Sequence, residues 1–217
     1  MSGTAGPVLA PEGWPFVLGG AAFAVAVWLL WPRAVPLALL GVLFALFSLW
    51  FFRNPARTPP AGAGLVVSPA DGRIVYSGGC PEGRYAPAPG KKVSIFMSPL
   101  DVHVNRAPVT GLVTSVRYHP GEYHVASVDK ASLRNEQNGV TIGTPEGRSV
   151  TYVQIAGMVA RRIVCDLSEG DAVRQGQRVG MIRFGSRVDV FLPADAELRV
   201  AKGDRVRAGE SVIGVLP

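Results

Sequence analysis

The chain has 217 residues, nearly half of them apolar, and a formal charge of +6, so it can hold one large or two small units with a sizeable core. A basic balance admits nucleic acid, anionic lipid or an acidic substrate as partner. Two cysteines, Cys80 and Cys165, make no disulfide framework and show no paired zinc spacing, so neither a disulfide scaffold nor a metal site is expected and a reducing compartment fits.

The first feature in chain order is a pair of apolar, uncharged runs, Trp14 to Trp31 and Pro36 to Phe52. Each is about as long as a helix that crosses a bilayer. Trp14, Trp28, Trp31 and Trp50 lie toward the run ends, as interfacial aromatics do, and Pro32-Arg33 separates the runs. A membrane hairpin is expected; a pair of buried core helices is the plain alternative. A signal peptide fits less well, because a basic leader is missing and a second apolar run follows at once. Arg53 and Arg57 favour a cytoplasmic remainder.

From Asn54 to Gly64 runs a Pro/Ala/Gly linker, after which the composition turns soluble and strand-rich. The expected division is an anchoring hairpin with linker over 1–60 and a second domain over 61–217. Abundant Gly and Pro without a period point to short strands between turns. Strand signals fall at Leu65–Val67, Gly72–Ser77, Lys92–Met97, Gly111–Tyr118, Val140–Ile142, Ser149–Ala156 and Arg161–Asp166, and only Ala126 to Asn135 could hold a short helix. Gly170-Asp-Ala-Val-Arg-Gln-Gly176 is repeated as Gly203-Asp-Arg-Val-Arg-Ala-Gly209. Such paired hairpins resemble the flattened sandwich of biotinyl and lipoyl carrier domains; two unrelated turns are the alternative. The fold class expected is mainly β, an antiparallel sandwich or barrel with lipoyl-like hairpin repeats, behind an N-terminal hydrophobic helical hairpin.

Three separated segments could carry chemistry. In Gly180-Met-Ile-Arg-Phe-Gly-Ser-Arg187 a glycine carbonyl precedes a serine hydroxyl, the minimal equipment for a backbone rearrangement, although most such pairs are ordinary turns or bulges. His103 follows the apolar run Phe96-Met97, and Asp71 sits in the turn-like Ser68-Pro-Ala-Asp-Gly72. Ser186, His103 and Asp71 together offer a nucleophile, a base and an acid. A serine hydrolase is disfavoured, because Phe184-Gly-Ser-Arg-Val188 fails the nucleophile-elbow pattern at both outer positions.

These segments, with His119-Pro-Gly121, Asp129-Lys-Ala-Ser132, Asn135-Glu-Gln-Asn138 and Ile155-Ala-Gly-Met-Val-Ala-Arg-Arg162, resemble the short bacterial and archaeal form of the phosphatidylserine decarboxylases from about Ser68 to Pro193. The resemblance implies a proenzyme that cleaves itself between Gly185 and Ser186 into a β subunit, 1–185, and an α subunit, 186–217. Ser186 becomes a covalent pyruvoyl cofactor. Phosphatidylserine then binds it as a Schiff base and leaves as phosphatidylethanolamine. His103 is implied as proton donor and Asp71 as its orienting acid, with Arg161, Arg162 and Phe184 as candidate substrate-binding residues. Implied partners are the lipid, the cell membrane and the two subunits of the chain itself, with room for a homodimer and no nucleic acid. One position departs from the longer family forms: they carry a second histidine where this chain has Arg106. Either His103 serves both steps, or His119 or His124 stands in. Archaetidylserine would suit the same chemistry. A non-enzymatic lipoyl-like membrane adaptor is the rival, and it lacks a Met-Lys-Met-type lysine at either hairpin tip.

Overall fold

The computed structural model describes residues 7–86, 88–122, 135–157, 162–183 and 186–217. Two compact units divide it, one over 5–56 and the other essentially 57–217. In the first, a single 3-10 turn, Pro11–Gly13, leads into α1 (Trp14–Leu30), and a Pro-Arg turn separates this from α2 (Val35–Phe51). A proline sits in the first turn of each helix, where its missing N–H costs nothing. The helices meet through small residues: Gly20 and Ala24 of α1 lie against Gly41 and Ala45 of α2, and a Cβ on Gly41 would stand 2.9 Å from the Gly20 carbonyl oxygen. Such close approach is typical of helices packed in lipid. The outer faces are apolar as well, with Trp28 64% and Leu40 60% exposed. Pro11–Leu30, at 20 residues and mean hydropathy 1.8, is long and apolar enough to cross a membrane; Val35–Phe51 is shorter.

The second unit is built of fourteen described strands in three sheets, all paired antiparallel. Those of the largest sheet are β2 (Gly72–Cys80), β3 (Gly90–Met97), β5 (Gly111–His119), β6 (Gln137–Gly143), β7 (Ser149–Ala156), β9 (Ala172–Val173), β11 (Ser186–Leu192) and β13 (Arg205–Val206). They run in the order β13-β2-β3-β11-β7-β6-β5-β9 and curl into a half-barrel. Alternate residues point into the core, as the strand period of two requires: Val93, Ile95 and Met97; Val188, Val190 and Leu192; Val150 and Tyr152; Val140 and Ile142. Two three-stranded sheets complete the unit. One joins β1 (Leu65–Val67), β14 (Val212–Val215) and β12 (Glu197–Leu198), the other β4 (Val104–Arg106), β10 (Arg178–Ile182) and β8 (Ile163–Cys165).

The sequence repeat is a structural repeat. Asp171 and Asp204 each cap the backbone N–H three residues earlier, at 2.8 Å, and Val173 and Val206 are both buried. The leading glycines stand at φ +92° and +103° and the closing ones at +76° and +75°, where glycine is least strained. The first copy supplies β9 and the second β13, the opposite edges of the large sheet. Short edge strands of this kind leave little backbone for a foreign strand to pair with.

Candidate active site

Ser186 opens β11, the strand between β3 and β7, with Met97 opposite it on one side and Ala156 on the other. It is fully buried, and its Oγ donates to Met97 Sδ at 3.2 Å. A thioether accepts weakly and cannot take a proton at this contact, so the serine is held without being activated. Residues 184–185, and with them Phe184 and Gly185, lie outside the described residues, as do Arg161, His124 and nearly all of the expected helix over 126–135.

His103 lies in the turn between β3 and β4 and is fully buried. Its Nδ1 is 3.0 Å from the Asp101 carbonyl oxygen, which can only accept. Nδ1 therefore carries the proton, and in the neutral ring Nε2 holds the lone pair that a base needs. The His103 carbonyl accepts the Ile182 N–H at 3.4 Å, so the backbone at His103 is held against the last residue of β10. His119, by contrast, ends β5 and stacks edge-on with Tyr85 at 5.8 Å. It shares a row with Gln137, Ile155 and Arg187, three strands from the start of β11, or roughly 14 Å at ordinary strand spacing.

Asp71 is drawn to other partners than His103. One carboxylate oxygen accepts the Ala208 N–H at 2.7 Å and the other accepts Arg57 Nη2 at 2.8 Å, while Arg57 Nη1 reaches Glu210 at 2.9 Å. Burial pushes the Asp71 carboxyl above its ordinary range, outweighing the downward pull of Ala208 and Arg57. Arg106 is buried and donates to the Gly176 carbonyl at 2.8 Å. Arg162 is exposed, and its carbonyl accepts the Arg183 N–H at 3.2 Å. Burial pushes the Cys165 thiol up and keeps it a poor nucleophile. Among the described residues no cluster of three or more His, Cys, Asp or Glu side chains is placed to hold a metal.

The sequence reading missed a row of buried amides that reaches Met97 Sδ, the sulfur that Ser186 Oγ contacts. Asn105, Gln154 and Asn138 are buried in a row: Asn138 Nδ2 donates to Gln154 Oε1 at 3.2 Å, and Gln154 Nε2 to Asn105 Oδ1 at 2.9 Å. A signal was present at Gln154, a polar residue in the inward phase of Val150 and Tyr152.

A buried serine that begins a central strand, with Met97 Sδ as the partner of its hydroxyl and Asp71 bonded to Arg57 and Ala208, differs from a hydrolase triad. It fits the class of proenzymes that turn a chain residue into a carbonyl cofactor, since a hydroxyl residue stands where such a group must form. The sequence matches the phosphatidylserine decarboxylase family profile over residues 44–214. Proteins named phosphatidylserine decarboxylase proenzyme are similar throughout: one from Nitrosomonas europaea is 48% identical over 95% of this chain and 94% of its own length. Those from Granulibacter bethesdensis and Syntrophus aciditrophicus are 46% and 44% identical, each over 95% of this chain and over 84% and 96% of their own. The chain belongs to the phosphatidylserine decarboxylase family.

Proposed function

We propose that the chain decarboxylates phosphatidylserine to phosphatidylethanolamine with a pyruvoyl group made from its own Ser186. The observation that supports this most is the position of Ser186, a buried hydroxyl at the first residue of a strand paired on both sides. In self-processing, Oγ attacks the Gly185 carbonyl carbon and the peptide bond becomes an ester. Elimination breaks the Cβ–Oγ bond: the Cα proton goes to a base, and the electron pair leaves on the new Gly185 carboxylate. Hydration and loss of ammonia then leave residue 186 as the blocked end of an α chain, 186–217, beside a β chain, 1–185. Once formed, the pyruvoyl group supplies an electrophilic carbonyl that accepts the substrate amine and draws off the electron pair left by carbon dioxide.

His103 Nε2 moves the protons, taking one from Cα of residue 186 and later returning one to the substrate Cα. Its ring is oriented by the Asp101 carbonyl. Asp71, through Arg57 and Ala208, holds the turn before β2 and serves the site by support. Arg162 and Arg161 are assigned to the lipid phosphate, a pairing that suits arginine, with Phe184 as a further candidate for substrate contact. The helical pair anchors the protein at the cell membrane, where its substrate resides, with the second unit on the cytoplasmic side as Arg53 and Arg57 favour.

Intact mass under denaturing conditions tests the reading. The wild type is expected as two chains, the smaller blocked at residue 186, and Ser186→Ala as one full-length chain. A single full-length mass for the wild type after incubation with membranes overturns it.

A further inference from the structure

Resting on that reading, we propose that Asn105 is the hydrogen-bond donor for the leaving carboxylate in the elimination step of self-processing, with Gln154 and Asn138 fixing the direction of its amide. Three buried amide side chains form one chain whose last member shares the Met97 sulfur with the nucleophile. Asn138 Nδ2 donates to Gln154 Oε1, so the Gln154 amide can only present its nitrogen onward. That nitrogen donates to Asn105 Oδ1 at 2.9 Å and to the Val164 carbonyl at 3.2 Å. Asn105 Oδ1 is thereby committed, and its Nδ2 must point the other way. There its described contact is Met97 Sδ at 3.9 Å, the same sulfur that receives Ser186 Oγ at 3.2 Å.

An amide NH2 of a fully buried side chain, aimed at a poor acceptor at the limit of contact, is a donor with unused capacity. The other atom on that sulfur, Ser186 Oγ, is the one on which charge develops. When the Cβ–Oγ bond of the ester breaks, Oγ departs as part of the Gly185 carboxylate and carries negative charge in a site closed to water. A donor already in place needs no reorganisation at that moment. Nothing in the chain Asn138–Gln154–Asn105 is ionisable, so its direction holds at any pH at which the protein is folded. Ester formation does not need this donor, since Oγ carries no charge once it is acylated. The step that suffers from its loss is elimination.

The test is to follow self-processing in Asn105→Leu and Asn105→Ala by intact mass, with and without hydroxylamine under denaturing conditions. Hydroxylamine cleaves an ester at Oγ and leaves a small chain beginning with free Ser186, heavier by one ammonia than the chain that begins with the keto group and open to N-terminal sequencing. Both variants are expected to process about 100-fold more slowly than wild type, the cost of removing one such donor, and to accumulate material that hydroxylamine splits. Gln154→Met, which frees the Asn105 amide to turn, is expected to accumulate the same ester, and it carries the test if the Asn105 variants show no melting transition. Processing at the wild-type rate in the Asn105 variants, or a folded full-length chain that resists hydroxylamine, overturns the assignment. A wild type that never processes overturns the reading beneath it instead.

Discussion

Asp71 lies at the intersection of two opposed electrostatic effects. Its ion pair with Arg57 favours the carboxylate, yet burial of the carboxyl outweighs this, and it is left above its ordinary 3.8. A raised folded value means that folding favours the protonated acid. That share of stability is complete below the unfolded value and is lost as pH rises through the folded one. Asp71→Asn cannot ionise and lacks this dependence. Paired thermal melts from acid to neutral pH should therefore show Asp71→Asn gaining on the wild type as pH rises through that window; a constant difference would mean that the shift is absent. At this scale Ser186, His103 and Asp71 could be picked out from the sequence as reactive types. Most of their partners could not: Met97 and Ala208 are brought to Ser186 and Asp71 from 89 and 137 residues away, and even the local pairs, Asp101 with His103 and Arg57 with Asp71, depend on how the loops turn.

The sheet of β4, β10 and β8 supports both His103 and Asn105, and its tightest point is Gly180. At φ +150° this residue packs so closely that a Cβ would overlap the Val164 carbonyl oxygen. Gly180→Ala should cost roughly 2–4 kcal/mol in denaturant unfolding and slow self-processing with it, because the strand on which Asn105 lies must move. A variant as stable as wild type would show that the strands separate without penalty. Elements were legible where alternation was long: β2, β3, β5 and β7 carry enough inward residues to announce themselves. β4 (Val-Asn-Arg) and β9 (Ala-Val) were not, since they lack the unbroken three-residue apolar run that marked the short β1 and β8. The hairpin repeat was readable at sequence level because its aspartate caps and glycine turns are local. Its role at opposite edges of one sheet is not local and needed the pairing.

Across the whole second unit, the proposed cut falls where it does least harm to the fold. The segment from Ser186 onward supplies β11 at the middle of the large sheet, β13 at its edge, and β12 and β14 beside β1. Seven residues of β11 pair with β3 and six with β7. The two product chains should therefore run as one species in native size exclusion and separate only in denaturant; dissociation on dilution would contradict this strand arrangement. The mainly antiparallel fold and the helical pair were both legible from composition and pattern. How the sheet would be divided by the proposed cut was not, because that depends on strand order.

Placing the reactive residue at the end of a central strand also sets how the protein is supplied with its chemistry. A cofactor that begins as the peptide's own serine cannot be dialysed away, competed for or limited by a vitamin, and it cannot be replaced once damaged. Each molecule would be charged once, at maturation, so cellular capacity would follow chain synthesis alone.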